Sequence, residues 1–153
     1  MSNTSQFIQY FLAHRNVTVE LVSKIEKEHD NYKPTPTSMS AKELVNHMLY
    51  SFHWFVEIVK KGEPVPYQEN KEETEANLLE LATSYTEKTK NLIESLTDED
   101  LNRTIDLTEI FGQKMNAGQL LQMAMDHEIN HKGNLFVYVR EMGHTELPMF
   151  ISK

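Results

Sequence analysis

Apolar and large side chains recur along this chain at spacings of three and four residues, the period of helices that each bury one face. Over residues 4 to 29 the stripe runs Phe7, Phe11, His14, Leu21, Val22 and Ile25 without a proline, which predicts a first helix. The segment NYKPTPTSMS follows and ends in Ser40-Ala41-Lys42-Glu43, the serine and glutamate of a capping box, so a second helix is expected to start at Ala41. Its buried face reads Leu44, Val45, Met48, Phe52, Phe55, Val56 and Val59, and Gly62 with Pro64 and Pro66 closes it. From Asn70 to Leu96 the positions Leu78, Ala82, Tyr85, Thr89, Leu92 and Leu96 alternate steps of four and three and predict a third helix. Its acid-rich beginning, NKEETEANLLE, reads as a solvated helix start near the N-terminal dipole. Residues 97 to 116 lose the helical period, and the alternation in RTIDLTEIF predicts a short extended, hairpin-like excursion. A fourth helix runs from Ala117 to Met142, bounded by Gly143, with Leu120, Ala124, His127, His131, Leu135, Tyr138 and Met142 on one stripe. The expected class is all-α, a four-helix bundle in one domain spanning residues 1–153, whose facing helices can supply ligands to the interior. Handedness is left open.

Composition narrows the function classes. The hydrophobic fraction of 39% and charged fraction of 25% are those of a soluble globular domain. Neither a bilayer-spanning apolar run nor a basic, apolar and cleavable leader is present in the N-terminal MSNTSQFIQYF, so the expected location is the cytoplasm, without a membrane partner. A net charge of −8, with 15 scattered Lys and Arg, argues against a nucleic-acid partner. The absence of cysteine removes disulfides, thiolate ligands and cysteine nucleophiles, and leaves His, Asp and Glu to hold any transition metal.

The chemistry that stands out is H-E-x-x-H in MDHEINHKGN, residues 125 to 134. A spacing of four places His127 and His131 one turn apart on the inward stripe of the fourth helix. Two imidazoles buried in an aliphatic seam need partners, and a divalent metal supplies them. A third ligand must come from elsewhere, and His47 in ELVNHMLYSF, at the border of the second helix's apolar face, is the best candidate. Three neutral imidazoles suit Zn²⁺ or Ni²⁺, with Fe²⁺ a weaker match. A zincin peptidase fits poorly, since Val137 stands where the extended motif requires its third histidine. Glu128 then backs a ligand, lines a pocket or belongs to a helix face.

The stretches LTDEDLNRTIDL, ELVNHM and HEINHKGNLFVYVREMG resemble the DinB/YfiT-like family. That family's last helix carries paired histidines, a basic residue, glycine, a short polar residue, tyrosine, arginine and a closing glycine. Here these are His131-Lys132-Gly133-Asn134, Tyr138, Arg140 and Gly143, with Lys132 and Asn134 standing where arginine and glutamine are commoner. The resemblance extends over nearly the whole chain. It implies up-down-down-up connectivity, a divalent metal on His47, His127 and His131, and a homodimer. It also implies an activity like that of relatives that are thiol-dependent S-transferases or a mycothiol-dependent maleylpyruvate isomerase. In such chemistry a metal presents a low-molecular-weight thiol as thiolate to a small electrophilic substrate, which suits a chain with no thiol of its own. A non-catalytic, damage-inducible metal-binding protein and a hydrolase using metal-activated water are the alternatives.

Other positions carry plainer expectations. His14 lines the pocket, as a proton carrier, or is a satisfied core histidine; Tyr138 and Arg140 are pocket or interface candidates. His53 should be superficial. His29 and His144 should interact with carbonyls at helix ends. Phe52, Trp54 and Phe55 form core, a substrate wall or a dimer surface, and the dispersed methionines fill gaps. Gly133 costs up to about 1 kcal/mol inside a helix and so predicts a close approach by a backbone or ligand.

Overall fold

A computed structural model describes residues 3–70 and 77–152. The long helices are α1 (Asn3–Ser23), α2 (Ala41–Lys61), α3 (Leu78–Glu94) and, at the end of the chain, α6 (Ala117–Glu141). Between α3 and α6 lie the short helix α4 (Asp98–Asn102), strand β1 (Thr104–Leu107), the one-turn helix α5 (Thr108–Phe111) and strand β2 (Gln113–Asn116). The fold is therefore mostly helical with a small two-stranded sheet.

Local chemistry sets most boundaries. Ser40 accepts from the Glu43 amide at 3.1 Å while the Glu43 carboxylate accepts from the Ser40 amide at 2.9 Å, so the expected capping box opens α2. Gly62 closes α2 with φ of 79°, and a Cβ there would come within 2.6 Å of the Arg103 guanidinium carbon, so the position requires glycine twice over. The excursion between α3 and α6 is an antiparallel hairpin in which Ile105 faces Met115 and Leu107 faces Gln113. Ile105 and Leu107 point inward and Thr104 and Asp106 outward, as the period-two pattern predicts.

Two boundaries differ from expectation. The first helix ends at Ser23 rather than near residue 29, because Lys24 and Ile25 bond back three residues and tighten the last turn before Glu26 goes extended. The third helix starts at Leu78 rather than Asn70, because Asn77 has non-helical φ and ψ and its side chain accepts from the Glu80 amide at 3.1 Å. Most of the acid-rich run expected to start that helix, residues 71–76, lies outside the described residues.

Each long helix packs on two others: α2 against α3 and α6, and α1 against α3 and α6. The apolar core they enclose falls into two clusters. One gathers Phe11, Phe52, Val56, Ile93, Ile105, Leu107 and Leu120, and the other Leu21, Leu44, Val45, Leu49, Ala82 and Leu135. Along α1 and α6 the residues between these clusters are His14, Arg15, Thr18, Glu128 and Lys132, all buried. A polar layer thus crosses the middle of the bundle.

Gly133 departs from the first half of its expectation, since no backbone approaches it. It lies exposed on α6 and a Cβ there would meet nothing within 4 Å, so neither a backbone nor a neighbouring side chain requires the glycine. Gly133→Ala should stabilise the chain by about 0.5–1 kcal/mol in denaturant unfolding, through helix propensity alone. A loss of stability would mean that another surface covers this position in solution.

Candidate metal centre and adjoining cavities

His47 reaches the interior from α2, and His127 and His131 from successive turns of α6, the helix against which α2 packs. The His47 and His127 Nε2 atoms lie 3.0 Å apart, and the His127 and His131 Nε2 atoms 3.1 Å apart. Their rings are nearly perpendicular to one another, at 78°, 82° and 87°. Three edges therefore converge on one point. Tetrahedral zinc with Zn–N bonds of about 2.0–2.1 Å spaces its nitrogens by about 3.3 Å, so small adjustments would admit an ion.

The outer nitrogens decide what the inner ones can do. The Ser51 hydroxyl donates to the His47 carbonyl at 2.5 Å, which leaves its lone pairs to accept from His127 Nδ1 at 3.3 Å. Asn134 Oδ1 accepts from His131 Nδ1 at 3.2 Å. With its proton held on Nδ1, His127 turns a bare Nε2 lone pair toward the Nε2 atoms of His47 and His131. Burial, followed by the neighbouring His131 and His47, lowers the His127 pKa to about 4, and burial with His131 lowers that of His47. At neutral pH these two are neutral imidazoles, the form that can ligate a metal. The donor set fits a divalent cation. Ser51→Ala should weaken metal binding about 10–100-fold by releasing His127, measurable by competition with a chromophoric chelator; unchanged affinity would mean that Ser51 does not orient the ring.

Two cavities meet at this cluster. One, of about 480 Å³, is walled by Trp54, Phe55, Tyr67, Phe111 and Met123, with His47 and His127 at its base. The other, of about 470 Å³, shares His47 and Tyr67 with the first and is polar, with Lys42, Glu43, Asn46 and Glu69. Asn46 is buried, and its Oδ1 has no hydrogen-bond partner among the described residues. The loop after α2 is pinned by Trp54 Nε1 donating to the Val65 carbonyl at 2.6 Å. Tyr67 on that loop donates to Glu69 at 3.3 Å, and burial pushes its phenol pKa up. The hairpin supplies Phe111, at the end of α5, which stacks on Phe55 at 6.0 Å.

The remaining candidates sit elsewhere. Glu128, adjacent to His127, turns into the core, where its carboxylate takes a bidentate pair from Arg15 at 2.9 Å on each oxygen and a bond from Thr18 at 2.7 Å. Burial alone would raise its pKa, but Arg15, these hydrogen bonds and Lys132 hold it below the usual value. His14 accepts from Lys132 Nζ at 2.6 Å and does not line either cavity. Lys132 also donates to the Phe150 carbonyl, and Ser152 donates its amide to the Ala13 carbonyl at 2.8 Å, so the C-terminal segment straps across α1. Tyr138 donates to the Met39 carbonyl at 2.8 Å, and Arg140 lies 5.7 Å over the Phe136 ring.

Three histidines depart from expectation. His53 is half-buried rather than superficial, because its Nδ1 meets the Thr89 hydroxyl at 2.9 Å across the α2–α3 contact. His29 and His144 both meet Glu26, at 2.9 and 3.2 Å, so an acid rather than terminal carbonyls is their partner. Sequence reasoning missed Arg15 and Thr18, and named Lys132 only as part of a motif. Their signal was the continuation of the α1 stripe through Arg15 and Thr18 at steps of four and three, where a charge is otherwise out of place.

Known proteins share this arrangement of helices. The chain is 58% identical over 150 residues to YjoA of Bacillus subtilis (strain 168), covering 98% of this chain and 97% of that protein. The crystal structure of that DinB-like protein superposes with a TM-score of 0.88 at 57% identity, covering 97% of this chain and 99% of the other. A DinB-like protein from Bacillus cereus ATCC 10987 shares the fold, with a TM-score of 0.73 at 18% identity over 94% of each chain. The DinB family model itself matches residues 1–151, histidine cluster and hairpin included, and the chain belongs to the DinB family.

Proposed function

We propose that this protein is a divalent-metal-dependent enzyme, a transferase that activates a low-molecular-weight thiol for attack on a small electrophile. His47, His127 and His131 are the metal ligands. The observation that carries this reading is the convergence of His47, His127 and His131 with their ring nitrogens close enough to share one ion, beside two cavities that leave space for ligands. Zinc or nickel suits three imidazoles, with iron a weaker match. A divalent ion held there would lower the pKa of a coordinated thiol, so that thiolate exists at neutral pH. Ser51 and Asn134 orient the ligands, and the chain itself, lacking cysteine, requires an external sulfur. Transfer forms one C–S bond and breaks the bond to a leaving group, which departs with the electron pair. Cytoplasmic location, a homodimer and up-down-down-up connectivity complete the proposal. No helix among the described residues is long and apolar enough to cross a membrane.

Protein purified without chelators should contain about one divalent ion per chain. Its rate of thiol addition to 1-chloro-2,4-dinitrobenzene should rise above the uncatalysed background with at least one of a panel of small thiols. Metal-loaded protein that accelerates none of them would shift the assignment to a non-catalytic metal protein or, if simple esters are cleaved without thiol, to a hydrolase. A cobalt spectrum that ignores added thiols and anions would favour the first of those two.

A further inference from the structure

We propose that the cavity over His47 and His127 receives an uncharged aromatic group, so that the electrophile handled by this protein is a neutral aryl or arylalkyl compound. This deepens the proposed function and rests on the histidine cluster being the metal centre.

The wall chemistry makes the selection. Among the described residues, no ammonium, guanidinium or carboxylate lines this cavity. The rings present both faces and edges, with Trp54 and Tyr67 meeting at 78° and 5.4 Å, and Phe55 and Phe111 stacked at 26°. A flat ring finds stacked and edge-on neighbours together in such a space. The volume of about 480 Å³ falls in the ordinary range for a small-molecule site. An anionic group entering it would lose its water with no cationic side chain on the wall to replace it, so only a divalent ion held by the histidines would attract it. A cationic group would approach the aromatic faces but also the divalent ion at the base, which repels it.

Small thiols carry carboxylate, amine or hydroxyl groups, and the polar cavity beside His47 suits those, with the Lys42 ammonium and the unpartnered Asn46 Oδ1. The two cavities, which share His47, therefore divide the reactants by polarity. The hairpin acquires a role as well. Its one-turn helix brings Phe111 from a distant part of the chain to the cavity wall.

Trp54 is the chain's single tryptophan and stands in this wall, so intrinsic fluorescence reports occupancy directly. The probes are 4-nitroanisole, 4-nitrobenzenesulfonate and 4-nitrobenzylammonium, which share a ring and differ in charge. Each is titrated, with inner-filter correction, into metal-loaded and chelator-treated full-length protein. The expected result is saturable quenching by 4-nitroanisole, at least about tenfold tighter than by the sulfonate in chelator-treated protein and than by the ammonium in metal-loaded protein, and weakened about tenfold by Phe111→Ala. Met123→Lys places an ammonium in the wall and should reverse the preference toward the sulfonate; it serves as the second variant if Phe111→Ala lowers the melting temperature. Equal affinity for all three probes, no saturable quenching by 4-nitroanisole, or an unchanged Kd in a folded Phe111→Ala protein would overturn the proposal. If the chain takes up no metal yet binds 4-nitroanisole selectively, the metal centre falls and the aromatic pocket stands. If metal binds and the probes are not distinguished, the pocket assignment falls alone.

Discussion

Replacing His127 by alanine is expected to reduce metal uptake from about one ion per chain to background, with a loss of affinity beyond the 10–100-fold anticipated for Ser51→Ala, and about the same for His131→Ala. His127 Nε2 is the atom common to both short contacts in the cluster, 3.0 Å from His47 and 3.1 Å from His131, so its removal leaves only two ligands. The same variant separates ligand from scaffold. A metal that binds only the folded state raises the melting temperature of the wild type as its concentration rises. The His127→Ala protein should show no such rise. Elemental analysis after removal of excess metal, combined with melts over a range of zinc or nickel concentrations, gives both quantities. Wild-type protein that takes up no ion on titration, or a His127→Ala protein that still melts higher with added metal, would remove the centre.

The histidine cluster was legible in the sequence because two kinds of periodicity coincide. His127 and His131 share a face by helical spacing alone, and His47 borders a stripe whose Leu44, Met48 and Phe52 must point inward. The hairpin was legible for the same reason in another period, since Ile105 and Leu107 alternate with Thr104 and Asp106. What the sequence concealed were properties that depend on a second element. Glu128 lies next to His127 in the chain, yet the two side chains leave α6 in different directions, one toward α2 and the other toward α1. No spacing rule says which neighbour a helix face will meet. Gly133 failed for the converse reason: its cost in a helix is intrinsic, but whether anything approaches it depends on packing, and nothing in the described chain does. The aromatic cavity was only half legible: Trp54 and Phe55 were expected as core, a substrate wall or a dimer surface, but Phe111 joins them only because the hairpin folds back over α2.

The concealed ionic layer carries the largest expected effect on stability. Arg15 and Glu128 have fully buried side chains and pair through two bonds of 2.9 Å, with Thr18 on the same carboxylate and the guanidinium 4.8 Å from the Phe11 ring and 5.4 Å from Phe52. Glu128→Gln keeps the shape but leaves the guanidinium in the core without its counter-charge, which costs about 3–5 kcal/mol. For a chain of this length that corresponds to a melting temperature lower by roughly 6–20 °C. The Arg15→Met/Glu128→Leu double variant should recover most of that loss, since a packed apolar pair replaces two desolvated ions. Lys132 would then lose its acid, but burial already lowers its pKa and His14 offers a neutral acceptor, so it can shed its proton rather than stay as an isolated charge. A double-mutant cycle in denaturant measures the coupling, and metal uptake by the same proteins tells whether the layer also positions the centre. Glu128 anchors α6 to α1 at the turn that carries His127, so Glu128→Gln should weaken metal binding even where the protein remains folded. A single variant within about 1 kcal/mol of wild type, or a double variant as unstable as the single, would show that these charges are hydrated in solution and that the packing of α1 against α6 rests on the apolar clusters alone.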